Sequence, residues 1–234
     1  MKREENKKAF LAAFPHTIPV LTGFSMLGIA FGILMRTSGY GTALTVAMSL
    51  LVFAGSLQYV ALTLLTAAFN PLYAFTLTLL VNARHLFYGL SLLEKFKDTS
   101  PYKPYLIFGL CDETFSILCA AEIPQDVEKK RFMFFVTLLN HSYWVIGSVT
   151  GSLIGQWIHF NTHGLDFVLT ALFTVIFVNQ WDQRKNRLPA LTGLVVTSLS
   201  LLIFGAEQFI LPAMGLLLLV LALIKKPLEK EPLP

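Results

Sequence analysis

Residues 72–93 read LYAFTLTLLVNARHLFYGLSLL, a stretch in which Arg84 is the one Lys, Arg, Asp or Glu. An α-helix needs about 20 apolar residues to cross the hydrocarbon of a bilayer. A charge in the middle of such a run is expensive unless it is paired or hydrated, so Arg84 calls for a partner. Asn82 and His85 lie three apart and Arg84 and Tyr88 four apart, so on a helix each pair shares a face.

Outward from this stretch, seven more apolar blocks can be drawn. The full set is Thr17–Met35, Ala43–Phe69, Leu72–Leu93, Tyr105–Ala121, Phe132–Trp157, Leu165–Trp181, Pro189–Phe204 and Phe209–Ile224. Only 14% of the 234 residues are charged, against about 25% in an ordinary soluble domain. The pattern predicts an all-α, polytopic transmembrane bundle of about eight segments, forming one membrane domain over residues 1–234. Residues 1–16 form a cytoplasmic N-terminal segment, 17–224 the bundle and 225–234 a cytoplasmic tail. Thr17–Met35 is too long for the apolar core of a signal peptide and no A-x-A site follows, so it reads as a retained span.

Basic residues orient the segments, because loops rich in Lys and Arg stay in the cytoplasm. They cluster at Lys2, Arg3, Lys7 and Lys8, at Lys129–Arg131, at Arg184, Lys185 and Arg187, and at Lys225, Lys226 and Lys230. Eight simple crossings satisfy all of these but leave Lys95, Lys97 and Lys103 outside. Six full crossings, with segments two and four re-entrant or broken, put every basic loop inside. Both solutions keep both termini cytoplasmic, and the simple one is the first expectation. The net charge of +4 is spread over these loops and is no nucleic-acid signature.

Candidate site residues follow from the cost of polar groups in lipid. Segment four carries adjacent acids, Asp112 and Glu113, one of which is expected to pair with Arg84 within about 4 Å. A mid-span acid is also a candidate proton carrier, since burial favours its neutral form. Segment two contains Gly55, Ser56 and Gln58, where a helix break within Ala54–Gln58 would expose backbone groups to a ligand. Segment five adds Asn140 and Trp144 on one face. Asn179 and Gln180 in segment six are further polar positions, while His16 and His159 read as edge residues without a chemical role. Cys111 and Cys119 are about 12 Å apart along a helix, too far for a disulfide. Gly28 and Gly32, and Gly147, Gly151 and Gly155, recur every fourth residue and read as close helix packing. Segments one–two and five–six share a rough outline, each with a Gln (Gln58, Gln180).

The motifs of hydrolases, zinc proteases and phosphate-binding loops do not occur, and His85 and His141 are too few for a metalloenzyme centre. No cofactor, metal or nucleic-acid partner is expected, and the chain reads as a non-enzyme.

At these residues the chain resembles a known family. Phe53-Ala54-Gly55-Ser56-Leu57-Gln58-Tyr59, Asn82-Ala83-Arg84-His85-Leu86-Phe87-Tyr88-Gly89 and Asp112-Glu113-Thr114-Phe115 resemble signatures of the AzlC-type, or azaleucine-resistance, proteins. Gly28-Ile29-Ala30-Phe31-Gly32 and Ser142-Tyr143-Trp144-Val145-Ile146-Gly147 fit as well, so the likeness runs from about Phe14 to Ile224. It implies the large subunit of a cell inner-membrane exporter of branched-chain amino acids, working with a small AzlD-type membrane subunit. Its expected partners are these amino acids, membrane lipid and, by the reading of the acids above, protons.

Overall fold

The computed structural model describes residues 2–66, 70–82, 84–157 and 184–209, with a few isolated positions besides. Every regular element among them is a helix. In chain order these are α1 (Lys2–Thr37), α2 (Thr42–Leu51), α3 (Gly55–Thr66), α4 (Pro71–Asn82), α5 (Arg84–Leu92), α6 (Lys103–Phe108), α7 (Asp112–Ala120), α8 (Lys129–Ile154) and α9 (Arg184–Gln208). Most of segment six, with Asn179 and Gln180, His159, part of segment eight and the C-terminal tail lie outside the described residues, as does the comparison of segments five–six with one–two.

Helices α1 and α8 form the spine of the unit made of residues 1–165. They run parallel. At one end Arg131 pairs with Glu5 at 3.0 Å, in the middle Thr17 meets the Tyr143 hydroxyl at 3.1 Å, and at the other end Arg36 lies against Gly155. The glycine stripes make this possible. A Cβ on Gly28 would stand 3.0 Å from backbone atoms of Trp144 and Ser148, and one on Gly32 would collide with the Ser148 carbonyl. Small residues let two backbones approach where lipid supplies no hydrophobic drive to hold them together. Helix α1 begins at Lys2, well before the expected Thr17, and its early turns bury Ala9 and Ala13.

Segments two and four are discontinuous, each a pair of short helices. In segment two the chain leaves α2 at Val52 and restarts at Gly55. Phe53 takes a left-handed φ of 39°, and its buried ring lies 4.4 Å from the His141 ring. The break, Val52–Ala54, therefore meets the expected Ala54–Gln58 at Ala54 and otherwise falls before it. Gly55, Ser56 and Gln58 form the first turn of α3, where freed amides tolerate small and polar residues. In segment four the break is Gly109–Cys111, so Asp112 and Glu113, expected at mid-span, open α7 just after it. Acids there favour the positive end of the helix dipole.

Each broken segment folds back on itself. Thr42 of α2 meets Ser152 near the end of α8, Ser49 sits at the level of His141, and α3 returns until Tyr40 donates to the Leu65 carbonyl at 2.8 Å. The first hairpin thus starts and finishes at the Arg36–Gly155 end of the spine. The second opens to the opposite end. The Tyr102 ring before α6 packs 4.8 Å from Phe134, and Lys95 donates to the carbonyls of Leu118 and Cys119 at the far end of α7. Beyond α7, Asp126 reaches Lys8. Leu92, Phe96, Leu106, Leu118, Phe132 and Met133 form one core cluster around this end. The tips of the two hairpins meet midway, where the Phe53 and Phe108 rings lie 6.4 Å apart.

Residues 166–234 make a second compact unit. Its helix α9 contains Pro189 near its start and a non-helical Gly205 (φ 73°) near its end. Arg187 lies 5.8 Å over the Trp181 ring, an amphipathic pairing suited to a membrane edge. Among the described residues three helices are long and apolar enough to cross a membrane: Arg3–Thr37, Lys129–Ile154 and Arg187–Gly205.

Candidate functional site

Two half-helices, α3 and α7, begin at the hairpin tips. The amides of their first turns have no carbonyl one turn below them, so each start is a concentration of free N–H donors. Arg84, at the start of α5, joins the two. Its guanidinium donates to Ser56 Oγ at 2.5 Å and pairs with Asp112 Oδ2 at 2.7 Å. The Tyr88 hydroxyl, one turn on, donates to Asp112 Oδ1 at 3.0 Å, and its ring stacks 4.4 Å from Phe115. Asp112 is thus the acid that answers Arg84. Glu113 follows it in the same turn, and among the described residues no Lys or Arg is ion-paired with it.

Helix α8 closes the arrangement on the other side. The Trp144 indole donates to Gln58 Oε1 at 2.9 Å, and its ring packs over Gly55. One turn earlier, Asn140 donates through Nδ2 to Thr114 Oγ1 at 3.0 Å. Thr114 is in the first turn of α7, two residues past Asp112. The result is a closed ring: Ser56 and Gln58 on α3, Trp144 and Asn140 on α8, Thr114 and Asp112 on α7, Arg84 on α5, and back to Ser56.

Of the candidates read from sequence, Ser56, Gln58, Arg84, Asp112, Asn140 and Trp144 fall on this ring, with Gly55 against the Trp144 indole and Tyr88 bonded to Asp112. Glu113 adjoins it. Asn82 and His85 stand beside it: His85 Nδ1 contacts the Asn82 carbonyl at 3.2 Å and makes no bond to the Arg84–Asp112 pair. Four residues that sequence reasoning gave no role belong to the surroundings. Thr114 links two helices of the ring. Tyr105 and His141 meet at 3.0 Å, and His141 Nε2 contacts the Ser49 carbonyl at 3.3 Å, tying α6, α8 and the end of α2 together. Lys95 caps the far end of α7. The signal for Lys95 was its awkward place in the charge pattern; for the others, a polar residue inside an apolar run was the signal.

The helices, their unshielded apolar surfaces and this internal polar ring define a multi-pass helical membrane protein. The chain belongs to the AzlC family: residues 19–158 match the family model described as AzlC protein. It is 54% identical over 229 residues to the branched-chain amino acid transport protein AzlC of Bacillus subtilis, covering 98% of this chain and 90% of that protein. A membrane protein of Helicobacter pylori is 44% identical over 222 residues, with 95% and 97% covered. The inner membrane protein YgaZ of Escherichia coli is more distant, 26% identical over 210 residues, with 86% and 85% covered. No solved structure matches.

Proposed function

We propose that this chain is the inner-membrane transport subunit of an exporter of branched-chain amino acids, driven by the proton gradient and assisted by a small AzlD-type membrane subunit. One observation carries the reading: a half-buried arginine inside an apolar run joins the starts of two broken half-helices at the middle of the bundle. Transporters place amino-acid sites where half-helix N-termini converge near the midplane, because freed amides there meet a carboxylate without water. The name of the Bacillus subtilis relative supports the substrate class.

In this reading the two hairpins are re-entrant. The first enters and leaves at the outer face, the second at the cytoplasmic face. Lys95, Lys97 and Lys103 then join the N-terminus and Lys129–Arg131 inside, which resolves the disagreement that eight simple crossings left. Arg84 orients the substrate carboxylate and Asp112 holds Arg84 in its absence. Glu113, the acid of the adjacent pair that Arg84 does not engage in an ion pair, takes and releases the proton. The apolar side chains around the ring receive the branched side chain.

Counterflow tests the reading. Vesicles holding the chain and its partner, preloaded with unlabelled valine, are expected to accumulate labelled valine transiently. Equal accumulation by vesicles holding the small subunit alone would assign transport to the partner.

A further inference from the structure

The ring leaves certain polar atoms unused. Gln58 and Asn140 are both 0% exposed. An indole N–H can only donate, so Trp144 fixes Gln58 with its oxygen inward to the indole and its NH2 group free. Gln58 Nε2 has no partner, and neither has Asn140 Oδ1. The Nε of Arg84, between them on the ring, is likewise a donor without a partner. Buried polar atoms are paired in the great majority of cases, and leaving one unpaired costs about 1–3 kcal/mol. Three of them on one closed ring call for a common explanation.

Their chemistry is complementary to a zwitterion. Gln58 Nε2 lies in the first turn of α3, beside the free amides of that half-helix and two residues from the Ser56 hydroxyl that holds Arg84. The Gln58 amide and the backbone N–H groups are donors while Ser56 Oγ accepts from Arg84, and an anion is what the free donors would bind. Asn140 Oδ1 is an acceptor without a partner, on a side chain tied to the first turn of α7 through the Thr114 bond. An ammonium is what such an acceptor would bind. A free donor on one side and a free acceptor on the other match the two ends of an α-amino acid.

We infer that Gln58 and Asn140 are the residues that recognise the substrate's main chain, Gln58 taking the α-carboxylate through Nε2 and Asn140 the α-ammonium through Oδ1. This rests on the transport reading above and deepens it. It assigns substrate recognition to two neutral amides and leaves Arg84 and the acids for orientation and proton movement. Recognition is therefore of the zwitterion as such: a 2-hydroxy acid lacks the ammonium and an amino alcohol lacks the carboxylate.

Two isosteric substitutions separate recognition from packing. Gln58→Glu keeps the acceptor for Trp144 but puts a negative charge where a carboxylate is to bind. Asn140→Asp keeps the acceptor and adds a negative charge where an ammonium is to bind. Valine, valinol and 2-hydroxyisovalerate are titrated into the purified full chain with its small subunit, and binding is read by calorimetry. The wild type is expected to bind valine and discriminate against both analogues. Gln58→Glu is expected to lose valine affinity tenfold or more, the scale of one charge-assisted hydrogen bond. It should also lose its preference for valine over valinol. Asn140→Asp is expected to shift valine affinity in the opposite sense to Gln58→Glu and still reject the hydroxy acid, while Asn140→Leu accepts it. Equal effects of Gln58→Glu and Asn140→Asp, or unchanged discrimination in Gln58→Glu and Asn140→Leu, would overturn this inference and leave the transport reading standing. A wild-type complex that binds no amino acid would overturn both. If Gln58→Glu does not fold, Gln58→Met serves in its place with the same expected loss of preference over valinol.

Discussion

At the scale of single residues, the Arg84–Asp112 pair is the most exacting demand that the sequence makes. Removing one partner leaves the other charge uncompensated in an apolar bundle, which costs more than removing both. Arg84→Gln and Asp112→Asn are each expected to lower the thermal midpoint of the detergent-solubilised protein. The double variant should recover part of the loss, with a coupling of about 0.5–3 kcal/mol. Additive losses would show that the two charges do not depend on each other. The pair was legible in advance because lipid makes lone charges rare, so two opposite charges inside apolar runs nearly dictate each other. Whether Asp112 or Glu113 would answer was not legible. That choice depends on where α7 starts, and a one-residue difference turns a side chain by about 100°.

At the scale of elements, the sequence showed where apolar runs lie but not where they bend. Gly55 and Ser56 drew attention as helix breakers, yet the break sits just before them at Val52–Ala54 and uses Phe53 in a left-handed conformation. No residue preference announces that. It is held by tertiary contacts of the Phe53 ring with His141 and Phe108. The fold-back of each hairpin was visible only as one of two solutions to the charge pattern, and Lys95 was the residue that did not fit the simpler one. The hairpins can be tested directly. With Cys111 and Cys119 replaced, single cysteines at Thr66 and at Lys97 are treated in intact cells with a membrane-impermeant maleimide. Re-entrant hairpins place Thr66 outside and Lys97 inside, so Thr66 should label at once and Lys97 only after permeabilisation. Eight simple crossings give the opposite pattern at both positions.

At the scale of the whole molecule, the described helices divide into a rigid part and a divided part. The α1–α8 spine is locked by glycines that admit no larger side chain, and the hairpins pack on it through apolar side chains as well as hydrogen bonds and ring contacts. In the proposed reading, hairpins that open to opposite ends with their tips at one polar ring would give a substrate two ways out of a single site, and a proton carrier at that ring would couple movement to the gradient. The central claim is that Glu113 is this carrier, acting beside the Arg84–Asp112 pair. Glu113→Gln is reconstituted with the small subunit in vesicles, and valine movement is followed with and without an imposed pH gradient. The account predicts that the variant folds and exchanges valine downhill at near wild-type rates but no longer concentrates valine when the gradient is applied. If Glu113→Gln and Asp112→Asn each fold normally and each still drive valine uphill on the pH gradient, these acids do not carry the proton and the account is contradicted.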